Sequence, residues 1–103
     1  MEYVFSNQLW EWTGEGAWCF ITVPAEYFDE IKLISAQPAK GFGSVKVTAI
    51  IGSSEWNTSI FPDAKTSSYL LPVKKEIRKA ENIAPGDTVD VKIIIASDHP
   101  TTD

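Results

Sequence analysis

Four of the nine basic side chains, Lys74, Lys75, Arg78 and Lys79, fall within six positions. On a helix, Lys74 with Arg78 and Lys75 with Lys79 are like-charge pairs at i, i+4, each unfavourable by roughly 0.2 to 0.5 kcal/mol. The amino end of a helix disfavours cations as well. An anion site tolerates two such penalties in one place, because a phosphate or carboxylate satisfies the backbone amides and the cations together. The plainer reading is a solvated charged face, partly offset by Glu76 and Glu81, since surface charges commonly carry little energetic meaning. Trp10, Trp12, Trp18 and Trp56, with Tyr69, are many rings for a chain of this size and could line an aromatic pocket with N–H and O–H handles. Filling the interior is the stronger account, because large aromatic residues are highly buried on average. Trp10 and Trp12 share one side of a strand, which makes one of them a candidate for exposure. The ligand-binding set drawn from these features is Trp56, Ser59, Tyr69, Lys74, Lys75 and Arg78.

Other constellations carry less. A serine nucleophile at Ser59 requires a nearby oriented base, and the one histidine, His99, lies in a polar tail. Cys19 has no adjacent Cys or His to lower its pKa, which favours a packing role. One cysteine and one histidine cannot assemble a zinc site or an internal disulfide, and no cofactor is expected. Lys40-Gly41-Phe42-Gly43-Ser44 contains a Gly-x-Gly loop before a strand, whereas phosphate-binding glycine loops normally precede a helix. No pair of carboxylates is brought to catalytic separation by sequence alone. These residues give no reason to expect an enzyme.

The elements that must position the candidate set follow from periodicity. Tyr3 to Trp12 and Trp18 to Val23 read as two strands of a hairpin around Thr13-Gly14-Glu15-Gly16, with Trp12 and Trp18 flanking the turn. Pro24 opens a short helix over Ala25 to Ser35, whose apolar face is Tyr27, Phe28, Ile31 and Ile34. Ala36 to Gly43 has loop composition. Val45, Val47, Ala49 and Ile51 alternate with polar residues, Gly52-Ser53 turns the chain, and Trp56, Thr58 and Ile60 share one face of the return strand. Tyr69-Leu70-Leu71 is a brief fifth strand ended by Pro72, after which Val73, Ile77 and Ala80 mark one stripe of a helix that stops near Asn82. Ala84-Pro85-Gly86-Asp87 predicts a type II turn into a last strand carrying Val89, Val91, Ile93 and Ile95.

Strand, proline and short helix occur in that order twice, before Pro24 and before Pro72, which predicts a pseudo-twofold barrel. The fold class is mainly β: a small closed or double-split antiparallel β-barrel of about six or seven strands with two short helices. Its 103 residues and 11.4 kDa suit a single domain over residues 1–96, with 97–103 expected to fray.

A resemblance covers nearly the whole chain. It rests on Leu9-Trp10-x-Trp12-x-Gly14-x-Gly16-Ala17-Trp18-x-Phe20, Val23-Pro24 and Gly41-x-Gly43 in the first half. In the second half it rests on Trp56-x-Thr58-Ser59-Ile60-Phe61-Pro62, Tyr69-Leu70-Leu71-Pro72-Val73-Lys74, Arg78-Lys79-Ala80 and Gly86-Asp87-Thr88-Val89. These segments resemble the bacterial family labelled domain of unknown function nineteen-oh-five. The resemblance implies a small β-barrel that stands alone or is joined to a bacteriocin-protection (YdeI/OmpD-associated) domain, and it implies no activity. Where that family often has two glycines before the tyrosine, this chain has Ser67-Ser68. A fainter similarity, over Lys75 to Lys79 and Ile83 to Val89, is to the swapped-hairpin DNA-binding domains of transition-state regulators and antitoxins, which fold as dimers.

Nine basic against fourteen acidic side chains leave a net charge of -5, which disfavours nucleic acid as a partner. No window approaches the roughly 20 apolar residues of a membrane helix, and the amino terminus lacks a signal pattern, so a soluble, cytoplasmic protein is expected. The function these features favour is a non-catalytic binding or interaction module. Its partner would be a small anionic ligand or a protein at the rim near the second helix. The alternative is a DNA-associated dimer of the swapped-hairpin kind.

Overall fold

The computed structural model describes residues 1–13, 18–34 and 43–95. Six strands, β1 (Glu2–Trp12), β2 (Trp18–Val23), β3 (Val45–Ile51), β4 (Ser54–Asp63), β5 (Ser68–Pro72) and β6 (Thr88–Ile95), carry two helices, α1 (Phe28–Ile34) and α2 (Lys75–Glu81). The strands close into a barrel in the order β1-β2-β5-β4-β3-β6, and every neighbouring pair is antiparallel. Each strand thus has a hydrogen-bonded neighbour on both sides along part of its length. The predicted hairpin turn Thr13–Gly16 and loop Ala36–Gly43, apart from Thr13 and Gly43 themselves, and the tail at 97–103 lie outside the described residues.

β1 and β4 are the corners. Residues 2–8 of β1 pair with β6 while 9–12 pair with β2, and residues 54–60 of β4 pair with β3 while 61–63 pair with β5. Each long strand therefore passes from one sheet to the other. Exchanging the first three strands with the last three reproduces every pairing, so the expected pseudo-twofold is a property of the topology. Along the strands, alternate side chains point inward. Leu9, Ile21, Ile60, Leu71 and Ile93 fill the barrel, and Ile31 of α1 packs into the same core.

The helices follow their prolines differently. Pro24, with φ -54° and ψ 139°, precedes a 3₁₀ turn over Ala25–Tyr27 before α1 begins, and Tyr27 N–H donates to the Pro24 carbonyl at 3.0 Å. Pro72 is still the last residue of β5, and the next N–H, that of Val73, donates to the Cys19 carbonyl at 3.0 Å. α2 ends where predicted. Asn82 takes the left-handed conformation at φ 56°, Asn82 N–H donates to Lys79 O and Ile83 N–H to Arg78 O, the two bonds of a Schellman ending. Ile83 packs on the core, as such an ending favours. The apolar stripe of this helix is thus Val73, Ile77 and Ile83. Ala80, expected on that stripe, is exposed, because a seven-residue helix turns only one side to the barrel.

The turn before β6 has the predicted type II geometry, with Asp87 N–H donating to Ala84 O at 3.0 Å and Gly86 at φ 99°. Ser67 sits at φ 50°, a backbone conformation that glycine adopts without steric cost. Ser68 is buried and its hydroxyl lies 2.5 Å from that of Thr66. No described helix is long and apolar enough to cross a membrane.

Candidate functional site

One row of paired residues explains why the two ends of the barrel differ. Tyr3 pairs with Ile93, Ile93 with Ala49, and Ala49 with Trp56, a row that runs aromatic, aliphatic, aliphatic, aromatic across four strands. The pseudo-twofold thus makes Tyr3 and Trp56 counterparts. α1 closes over the first of them. The Tyr27 ring lies 4.9 Å from the Tyr3 ring, Phe28 lies 5.2 Å from Tyr69, and Ile31 is fully buried beneath. Tyr3 is buried and its hydroxyl has no hydrogen-bond partner among the described residues. Burial, and after it the nearby Glu30 carboxylate, pushes its phenol above the usual tyrosine range.

α2 leaves the counterpart open. Ile77 reaches inward, but Trp56 is only partly buried and lines a groove of about 360 Å³ between β2, β4 and α2. Trp18, Lys74, Lys75 and Arg78 line the same groove. Arg78 is held in place because its Nε–H donates to the Val73 carbonyl at 3.2 Å. Among the described residues no carboxylate lies within ion-pair distance of these three cations. The lining contains no carboxylate or imidazole. The groove can therefore lay a flat group against indole rings and present positive charge to an anion at its edge.

Four of the six residues expected at a binding site, Trp56, Lys74, Lys75 and Arg78, meet in this groove. The other two do not. Tyr69 points into the barrel, 3% exposed, on the side of α1. Ser59 does not line the groove; it lines two neighbouring concavities that Thr58 also borders. Trp18 and Thr58 were outside the expected set. Trp18 pairs with Trp12 across the first hairpin and Thr58 with Val47 across the β3–β4 hairpin.

Of the four tryptophans only Trp56 packs against the core; Trp10, Trp12 and Trp18 do not fill the interior, contrary to the core-packing expectation. In β1 the odd-numbered residues Tyr3, Phe5 and Leu9 point in, so Trp10 and Trp12 point out. Trp12 is 45% and its cross-strand partner Trp18 is 55% exposed. The barrel interior takes mostly branched aliphatic chains. Trp10 stacks on Phe20 at 5.3 Å and its Nε1–H donates to Thr22 Oγ1 at 3.0 Å. With Phe61 (41% exposed), Leu70 and Pro72 they border an outer concavity of about 750 Å³. Cys19 is buried among core residues. No three described His, Cys, Asp or Glu residues cluster so as to hold a metal ion.

A family model described as Domain of unknown function (DUF1905) matches residues 5–93. No curated protein matches the chain.

Proposed function

The chain belongs to the DUF1905 family, whose description names no activity, and on its geometry we propose that it is a non-catalytic binding module that recognises an anionic group at the groove between β2, β4 and α2. One observation carries this reading: Trp18, Trp56, Lys74, Lys75 and Arg78, drawn from three elements, line a single groove, and no described carboxylate neutralises the cations. The sequence accepts a like-charge pair at Lys75 and Lys79 in the same short helix, a small local cost that bound anion offsets. The lining offers binding chemistry but no general base or metal ligand set, which supports a non-catalytic role. A single buried thiol suits a reducing compartment, and a cytoplasmic location is part of the reading.

The DNA-associated alternative has less support. A swapped-hairpin dimer builds its barrel from strands of two chains, whereas here all six strands close within one. The net charge of -5 also opposes a polyanion at long range.

Thermal unfolding with phenyl phosphate, inorganic phosphate and benzoate tests the proposal. The midpoint should rise with concentration of at least one anion, and the Lys74→Glu, Arg78→Glu double variant should lose that rise. No stabilisation by any of the three at high concentration, or an equal rise in the double variant, would refute it.

A further inference from the structure

The outer face formed by β1, β2, β5 and β4 is more than the back of the barrel. Trp12, Trp18 and Phe61 keep between 41% and 55% of their surfaces exposed, beside Trp10, Phe20 and Leu70. A contiguous ring surface of this kind on a folded chain marks a contact site more often than a chance exposure. These indoles add little to the core, which is already closed from within by Leu9, Ile21 and Leu71. The face is also continuous with the basic groove, since Trp18, Thr58 and Pro72 border both concavities. A ligand crossing from one to the other meets apolar rings first and then Lys74, Lys75 and Arg78.

We infer that the occupant is an acidic peptide segment of a partner protein. Its aromatic or aliphatic side chains lie over Trp12, Trp18 and Phe61, and its carboxylates end among the three cations. This rests on the reading that the groove takes an anion, and it names the molecule to which that anion belongs. Charge selects the occupant: the cations at the end of the face are unpaired by any described carboxylate and suit a few negative charges on an otherwise apolar strand. The chain's own excess of acidic residues, 14 against 9, opposes a long polyanion more strongly than a short acidic segment.

The experiment selects peptides from a display library of random dodecapeptides on the immobilised full chain and measures the recovered peptides by fluorescence anisotropy. Recovered sequences should combine Asp or Glu with Phe, Trp, Leu or Ile. Affinity should fall roughly 30-fold or more in Trp12→Ser, Trp18→Ser, the loss expected for a central aromatic anchor. Lys74→Glu, Lys75→Glu should weaken the same peptides at least about tenfold and remove their salt dependence. All four substituted residues are exposed, and unchanged thermal midpoints confirm that the variants are folded. Recovery of no peptide, recovery of peptides without acidic residues, or indifference to the tryptophan variant overturns the inference. So does concentration-dependent dimerisation that Trp12→Ser, Trp18→Ser abolishes, which would make a second copy the occupant, or selective retention of single-stranded DNA by this face. If phenyl phosphate stabilises the chain through Lys74 and Arg78 while no acidic peptide is recovered, the anion groove stands and the peptide assignment falls. If neither binds, both fall.

Discussion

The two halves of this barrel share one frame and end differently. Tyr3 and Trp56 occupy matching ends of the same paired row. In the first half, a 3₁₀ turn brings Tyr27 onto Tyr3 and Phe28 onto Tyr69, and the acidic residues Glu26, Asp29 and Glu30 cover the outside. In the second half, the chain moves directly from β5 through Val73 and Lys74 into α2, no aromatic residue is delivered, and Trp56 remains in an open groove edged with cations. The difference teaches that one frame can carry a plugged end and an open one: the chain after β2 brings rings onto the core, and the chain after β5 brings cations that no described carboxylate pairs.

The largest effect should come from removing the plug. Ile31→Ala deletes a fully buried side chain and should cost about 2 to 5 kcal/mol in denaturant unfolding, whereas Ile77→Ala, beside the open groove, should lie near the low end, about 2 kcal/mol. Equal losses would mean that the two ends are packed alike. Next is Gly52, in the turn between β3 and β4. It has φ 59°, and an added Cβ would lie 2.0 Å from Glu81 Oε1, the carboxylate that accepts from Ser54 Oγ at 2.5 Å. Gly52→Ala should lower stability by roughly 1 to 3 kcal/mol and detach the end of α2 from the hairpin, visible as faster amide exchange from 79 to 83.

Tyr3 sharpens the comparison through pH. Its phenol titrates above the usual value in the folded protein and near about 10 in the unfolded chain. The folded state therefore holds the proton more tightly: this stability is present below about pH 10 and is lost as pH rises through the higher folded value. Tyr3→Phe should abolish that alkaline loss, and an unchanged alkaline limb would show that another group carries it. The smallest effect is the most telling for the open half. Lys75→Glu removes one like-charge pair and puts negative charge in the first turn of α2, so stability should rise by about 0.2 to 0.5 kcal/mol while stabilisation by phenyl phosphate falls.

Much of this frame was legible from residue order. The alternation of Val45, Val47, Ala49 and Ile51 marks β3 to its observed ends, Asn82 marks the end of α2, and the two prolines announce the repeated half. Three of the four clustered cations, Lys74, Lys75 and Arg78, border the groove. What was not legible is which way apolar strands face. β1 carries apolar residues on both sides, Phe5 and Leu9 on one and Val4, Trp10 and Trp12 on the other, so periodicity cannot choose the core face. Tyr69, Leu70 and Leu71 are all apolar, and only the pairing of β5 with β2 turns Tyr69 inward. Such long-range registers depend on closure of the whole barrel.

The groove itself is tested most directly by ¹H–¹⁵N NMR during titration with phenyl phosphate. The account predicts that the indole N–H signals of Trp18 and Trp56 and the backbone amides from 74 to 78 move together along one saturable curve, while the Trp10 indole stays still. Signals that do not move, or that move identically when Lys74 and Arg78 are both replaced by Glu, would contradict it.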